Sequence, residues 1–178
     1  MKGKILISSP NLLTDMIFYK SIILLVDESS DGYTGFILNR PGGILFMNNE
    51  THTLGKKFKF NFGGPVSDQT FFITNKKIKN LEIFRVENSI YWGNNVKTAI
   101  ELINDGKISL NDIIFFQGYS GWDSEQLEFE IKNNSWIVID NYSFNLFNLK
   151  KNSWNKIIDG LGHKYKIWSN SPDDISLN

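Results

Sequence analysis

An α+β fold in a single domain is what this sequence predicts, and three observations predict it. Short apolar runs separated by Gly, Pro, Asn and Ser fill the first half of the chain, the pattern of strands and turns. In the second half the apolar spacing alternates between a helical period and further strand-like runs. No interior stretch has the composition of a linker, and no repeat or low-complexity block interrupts the 178 residues. Strands grouped first and helices mixed in later describe a curved, largely antiparallel sheet with helices packed against it, not a regular βαβ alternation.

In chain order, Lys4–Ser8 reads as a first strand, closed by Pro10. Ser21–Asp27 is a continuous apolar run, as expected of a strand buried on both faces. Ser29-Ser30-Asp31-Gly32 is a turn, and Tyr33–Asn39 the returning strand of a hairpin, stopped by Arg40-Pro41-Gly42-Gly43. Asn48–Lys57 is polar and reads as loop. Phe58–Phe62 is strand-like and runs into Gly63-Gly64-Pro65, and Thr70–Thr74, Glu82–Val86 and Ile90-Tyr91-Trp92 follow as strands. Val96, Ile100 and Ile103 share a helical face, with Asn94 or Asn95 as cap and Gly106 as terminator. Ile113–Gln117 is a buried strand leading into Gly118-Tyr119-Ser120-Gly121-Trp122, which reads as a strand-to-helix turn. Asp123 and Gln126 resemble a capping box, and Leu127 and Ile131 lie on one face of the helix that follows. Ser135–Asp140 is a strand and Trp154–Leu161 a short helix. The domain is expected to span 1–168, with 169–178 a frayed tail.

Composition excludes several function classes. Nineteen basic residues balance nineteen acidic ones, so no net field draws the chain to phosphate backbones or anionic membranes. The clusters Lys56-Lys57-Lys59 and Lys76-Lys77-Lys79 read as solvated surface charge, and direct nucleic-acid binding is not expected. Cysteine is absent, which removes disulfides, thiolate nucleophiles and Cys-based metal sites and fits a reducing compartment. No run reaches the ~20 apolar residues of a membrane span, and the first residues lack a leader's apolar segment, so a cytoplasmic location is expected. No cofactor or metal motif stands out. The acids Asp123, Glu125, Glu128 and Glu130 are spaced as a charged helix face rather than as a ligand set.

Of the basic residues only Arg40 and Arg85 are arginine. In a chain this rich in Lys, Asn and Ile, a retained guanidinium suggests a need for its planar fork, which Lys cannot supply. Arg85 has no motif around it. Arg40 sits between Asn39 and Pro41 at a strand end, able to grip a carboxylate, phosphate or carbonyl of a partner, or else to pair internally with an acid or loop carbonyls. Asp15, an acid in apolar company, either caps a short helical turn or partners Arg40. Gly63-Gly64-Pro65-Val66 permits a tight turn or a close backbone approach. Gly118-Tyr119-Ser120-Gly121 is one residue short of the Gly-x-Ser-x-Gly nucleophile elbow. The only histidines, His52 and His163, occupy contexts atypical of a catalytic base. The five tryptophans read first as core anchors.

Taken together, Pro10 through Asp15 to Phe18, Ser21–Leu25, Gly35–Pro41, Gly63–Val66, Gly118–Trp122 with Gln126-Leu127-Glu128, Asn134, Trp136, Phe147 and Trp154 resemble the YqgE/AlgH family of bacterial proteins. One member of that family is named as a regulator of alginate production. The resemblance spans roughly the first 160 residues in the same order. It departs from the family at Ser8-Ser9, at Asp27-Glu28, where many relatives carry an acid followed by His, and around Ile90–Gly93. It implies an α+β domain whose bifurcated, mostly antiparallel sheet curls into a pseudo-barrel with flanking helices. It brings no catalytic residues to carry over. The expectation is a non-catalytic binding or regulatory protein. Its site would be a concave rim of Asn39, Arg40, Gly63, Gly64, Tyr119, Ser120 and Trp122 that takes a protein or small-molecule ligand. The alternative is a cofactor-free hydrolase or transferase using Ser120 or a nearby carboxylate.

Overall fold

Alternation of side chains across a strand sets the architecture, because the central strand opens with an unbroken apolar run, Ile22–Val26. In the computed structural model, which describes residues 1–47 and 56–169, this strand is β2 (Ile22–Ser29), flanked by β1 (Ile5–Ser8) and β3 (Gly32–Ile37). Ile22, Leu24 and Val26 enter one core with Ile5, Ile7, Phe36, Phe116 and Trp154. Ile23 and Leu25 enter another, with Leu6, Ile37, Trp122, Leu127 and Trp136. A strand with a hydrophobic core on each face carries no polar residue in its middle.

The remaining strands are β4 (Pro41–Met47), β5 (Lys56–Phe62), β6 (Val66–Thr74), β7 (Phe84–Glu87), β8 (Ile90–Gly93), β9 (Ile113–Trp122) and β10 (Trp136–Ile139). The main sheet runs β10-β1-β2-β3-β9-β6-β8-β7, and β4 and β5 form a branch off β9. All pairings are antiparallel except β5 with β9. The sheet curls, since Val86 of β7, Ile90 and Trp92 pack on the same core as Ile5 and Ile7 at its other end. It does not close into a barrel: β10 and β7 each have one strand partner among the described residues. Helix α1 (Val96–Asn104) covers a third core of Phe58, Phe60, Phe72 and Phe115 through Val96, Ala99 and Ile100. Asn95 caps it, accepting from the Thr98 N–H at 3.1 Å, and Gly106 follows its end at φ +73°. Helices α2 (Ser124–Lys132), α3 (Ser153–Gly160) and α4 (His163–Ser169) complete the domain.

Three readings of the sequence are corrected. First, Gly118–Trp122 is not a strand-to-helix turn. β9 continues through it, pairing Gly35 with Ser120, Thr34 with Gly121 and Tyr33 with Trp122. The backbone N–H groups expected at a helix start are therefore spent in the sheet. Second, Arg40-Pro41-Gly42-Gly43 is more than a stop: β3 ends before it, at Ile37, and a further strand opens within it. β4 begins at Pro41, and a register shift between Pro41 and Ile44 absorbs the glycines. Third, Asp123 precedes α2 without a side-chain cap bond, and the Gln126 amide donates to Glu130 at 2.8 Å instead of reaching back. Of the expected loop Asn48–Lys57, Lys56 and Lys57 open β5 and the rest lies outside the described residues. The expected tail lies outside them too, except Ser169, which closes α4.

The chain passes in direct backbone contact where Gly63 and Gly64 cross β9. A Cβ on Gly63 would overlap the Gly118 carbonyl, and one on Gly64, at φ +151°, would overlap the Tyr119 carbonyl. Gly64→Ala is expected to cost about 3 kcal/mol or more, from strain and backbone overlap together. Gly160→Ala, with no atom within 4 Å of the new methyl, should be neutral or slightly stabilising. Urea unfolding of both variants measures this, and a loss below about 1 kcal/mol for Gly64→Ala would show that the crossing relaxes freely.

Candidate functional site

The site begins with a short loop between β1 and β2. Asp15 caps its turn: Oδ1 accepts from the N–H groups of Ile17 at 2.7 Å and Phe18 at 2.6 Å. The loop ends at Lys20, held at φ +49°. Asn39 fixes this conformation from the end of the β3 segment. Its buried amide accepts from the Ile22 N–H at 2.9 Å and donates to the Lys20 carbonyl at 2.8 Å.

Arg40 holds the same loop from the next position. Nη1 donates to the Ile17 carbonyl and Nη2 to the Tyr19 carbonyl, the latter at 3.0 Å. Its guanidinium lies 5.8 Å from the centre of the Phe62 ring. Burial pulls the guanidinium below its ordinary value, and the Asp15 carboxylate opposes that shift. The capping role of Asp15 and its attraction to Arg40 thus coexist. Beside them opens a cleft of about 310 Å3, lined by Tyr19, Lys20, Asn39, Arg40, Pro41 and Lys151.

The glycine-marked segments meet Arg40 through the backbone. The Arg40 carbonyl accepts from the Phe62 N–H at 3.0 Å, and Gly63 N–H donates to Gln117 at 2.8 Å. Ser120 is fully buried, and its hydroxyl donates to the Gly63 carbonyl at 3.2 Å. Gly63, Gly64 and Ser120 therefore form a packed junction. Beyond it the half-buried Tyr119 and an edge of the buried Trp122 line a separate cleft of about 290 Å3 whose charged members are Asp31 and Asp123. Of the seven residues expected in one recess, Asn39 and Arg40 line one cleft, Tyr119 and Trp122 line another, and Gly63, Gly64 and Ser120 lie in the junction between them.

One residue has a role that its spacing does not reveal. Glu130 is half-buried, and its carboxylate accepts from the indole N–H of Trp122 at 2.9 Å, the indole N–H of Trp136 at 2.6 Å and the Gln126 amide at 2.8 Å. Phe18 stacks on Trp122 at 5.9 Å and meets Trp136 edge-on at 5.4 Å. The loop that Arg40 grips is thus seated, one residue on, upon a tryptophan pair that Glu130 aligns. The other acids of this stretch, Asp123, Glu125 and Glu128, are exposed. No group of three or more His, Asp or Glu among the described residues is placed to hold a metal ion. No helix among them is long and apolar enough to cross a membrane.

With the fold and this geometry in hand, the chain can be set beside known proteins. Residues 5–166 match the AlgH-like family. A UPF0301 protein of Cytophaga hutchinsonii is 33% identical over 180 residues, covering 99% of this chain and 98% of that one. The UPF0301 protein BF2109 of Bacteroides fragilis is 35% identical over 184 residues, covering 99% and 91%. In fold, the solution structure of AlgH from Pseudomonas aeruginosa superposes with a TM-score of 0.71 at 19% identity, covering 96% of this chain and 93% of that one. Protein DIP2367 of Corynebacterium diphtheriae gives 0.66 at 15% identity. The chain belongs to the AlgH-like family.

Removing the Glu130 carboxylate leaves two part-buried indole N–H groups without an acceptor. Glu130→Ala is therefore expected to cost about 2–4 kcal/mol, while Glu130→Gln, which keeps one acceptor oxygen, costs less. Unfolding monitored by tryptophan fluorescence tests this. Equal stability of both variants and the parent protein would remove Glu130 from the architecture of the site.

Proposed function

We infer that this is a cytoplasmic, non-catalytic binding or regulatory protein whose recognition surface centres on Asn39 and Arg40 and the cleft beside them. The observation that carries this reading is the state of Arg40: a guanidinium in a lysine-dominated chain, fixed by two loop carbonyls and an aromatic ring at the wall of a cleft. A donor array held in one orientation binds a partner without losing side-chain entropy at that moment. Two of the five guanidinium N–H groups serve the loop, and the other three are free of those bonds. Tyr119 and Trp122, in the neighbouring cleft, extend the surface toward a larger partner. Gly63, Gly64 and Ser120 support it from beneath. Regulation of transcription rests on the name of the family alone, and the even charge balance favours a protein or small-molecule partner over DNA.

The test is affinity capture from the native cell with the parent protein and with Arg40→Lys. Lys keeps the charge but cannot span two carbonyls and present further donors. The expected result is loss of a specifically captured partner or ligand while the variant remains folded. Unchanged capture together with a lowered melting temperature would make Arg40 a loop clamp and end this reading.

A further inference from the structure

Resting on the reading of Arg40 as a recognition group, we propose that its cleft binds a small phosphate-bearing ligand, with Lys20, Arg40 and Lys151 neutralising the phosphate. The chain as a whole is neutral, yet three of the six residues lining this cleft are cationic and none is acidic. The neighbouring cleft has the opposite character, with two carboxylates and no Lys or Arg in its lining. Such a separation on a neutral protein creates a local field that attracts anions to this recess rather than to its neighbour.

Burial sharpens the argument. Lys20 is 6% exposed, its ammonium 5.4 Å from the Trp154 ring centre and 5.5 Å from that of Tyr19. Arg40 is half-buried beside it. In a partly desolvated recess water screens charge weakly, so a bound anion feels these cations more strongly than it would at an open surface. Lys20 and Arg40 are also placed by the same device. Asn39 holds the Lys20 backbone in its left-handed conformation, and Arg40 bonds the carbonyl of the preceding residue, Tyr19. The two cations therefore share one rigid frame, while the exposed Lys151 comes from a distant part of the chain. Three cations match the roughly −1.5 to −2 charge of a phosphomonoester better than the single charge of a carboxylate. The Arg fork suits tetrahedral phosphate oxygens. A cleft of about 310 Å3 lies at the small end of ligand sites. It admits a phosphate head with a modest body, for which the Tyr19 and Pro41 rings provide apolar walls.

The probes are inorganic phosphate and phenyl phosphate, titrated at constant ionic strength by calorimetry and by thermal shift, with acetate and chloride as comparison anions. A saturable response to the phosphates, absent for acetate and chloride, is expected. Lys151→Met should weaken it about tenfold with the melting temperature of the unliganded protein unchanged, and Lys20→Met should weaken it at least as much. No saturable response, a response equal for acetate, or one that survives Lys151→Met would overturn the proposal. If capture of a partner in the cell depends on Arg40 while the phosphate probes fail, only this inference falls. If capture ignores Arg40→Lys, the reading beneath it falls as well.

Discussion

Everything in this molecule depends on the backbone-to-backbone passage at the middle of β9. This strand has β6 along one side and two successive neighbours along the other: β5 beside Phe115–Gln117 and β3 beside Ser120–Trp122. For one neighbour to replace the other within three residues, the chain leaving β5 must cross β9 in direct contact with its backbone. Gly63 and Gly64 make that crossing, and Gly118, at φ +69°, yields on the other side. Hydrogen bonds close the gap: Gly63 N–H donates to Gln117, its carbonyl accepts from the Ile37 N–H, and the Ser120 hydroxyl donates to the same carbonyl. The branch is a junction bonded through both backbone groups of Gly63, and no side chain on either glycine would leave it intact.

The junction explains why the most glycine-rich motif is structural and why its serine is inaccessible. It also positions the candidate site. Phe62, the last residue before the crossing, accepts Arg40 over its ring and donates its N–H to the Arg40 carbonyl. Asn61, one residue earlier, donates its amide to the Leu38 carbonyl at 2.8 Å. The direction in which Arg40 leaves the sheet is therefore set by the branch, and the loop it grips follows.

Much of this was legible in the sequence, and the misreadings share a cause. The two-sided core was visible in the unbroken Ile22–Val26 run, and α1 in the spacing of Val96, Ile100 and Ile103. Glycine and proline, however, mark any departure from ordinary backbone. Gly118 and Gly121 read as a turn, whereas Gly118 serves the passage of another chain. Pro41-Gly42-Gly43 read only as a stop, whereas Pro41 also opens a strand with one strand partner among the described residues, and the glycines fill a bulge. Glu130 was hidden for a different reason. Its spacing is that of a solvated helix face, and only the packing of β9 and β10 under α2 brings the Trp122 and Trp136 indoles to it. Lys20 and Lys151 were equally silent, because their cleft joins residues far apart in the chain.

The loop from Asp15 to Lys20 is gripped on two sides, and this decides what kind of recognition it can support. On one side Arg40 and Asn39 bind the carbonyls of Ile17, Tyr19 and Lys20. On the other, Phe18 is seated on the Trp122–Trp136 pair that Glu130 aligns. A loop tied at every residue from Ile17 to Lys20 cannot act as a lid without breaking several hydrogen bonds at once. Each such bond contributes about 1 kcal/mol, and the groups it leaves bare cost more. A ligand of the proposed kind would therefore meet Lys20 and Arg40 already in place. That arrangement favours a compact, charge-matched ligand over one that needs the walls to close. It also explains why the gripping residue is Arg: a lysine ammonium could compensate an anion, but it could not hold two carbonyls and a ring in register while doing so.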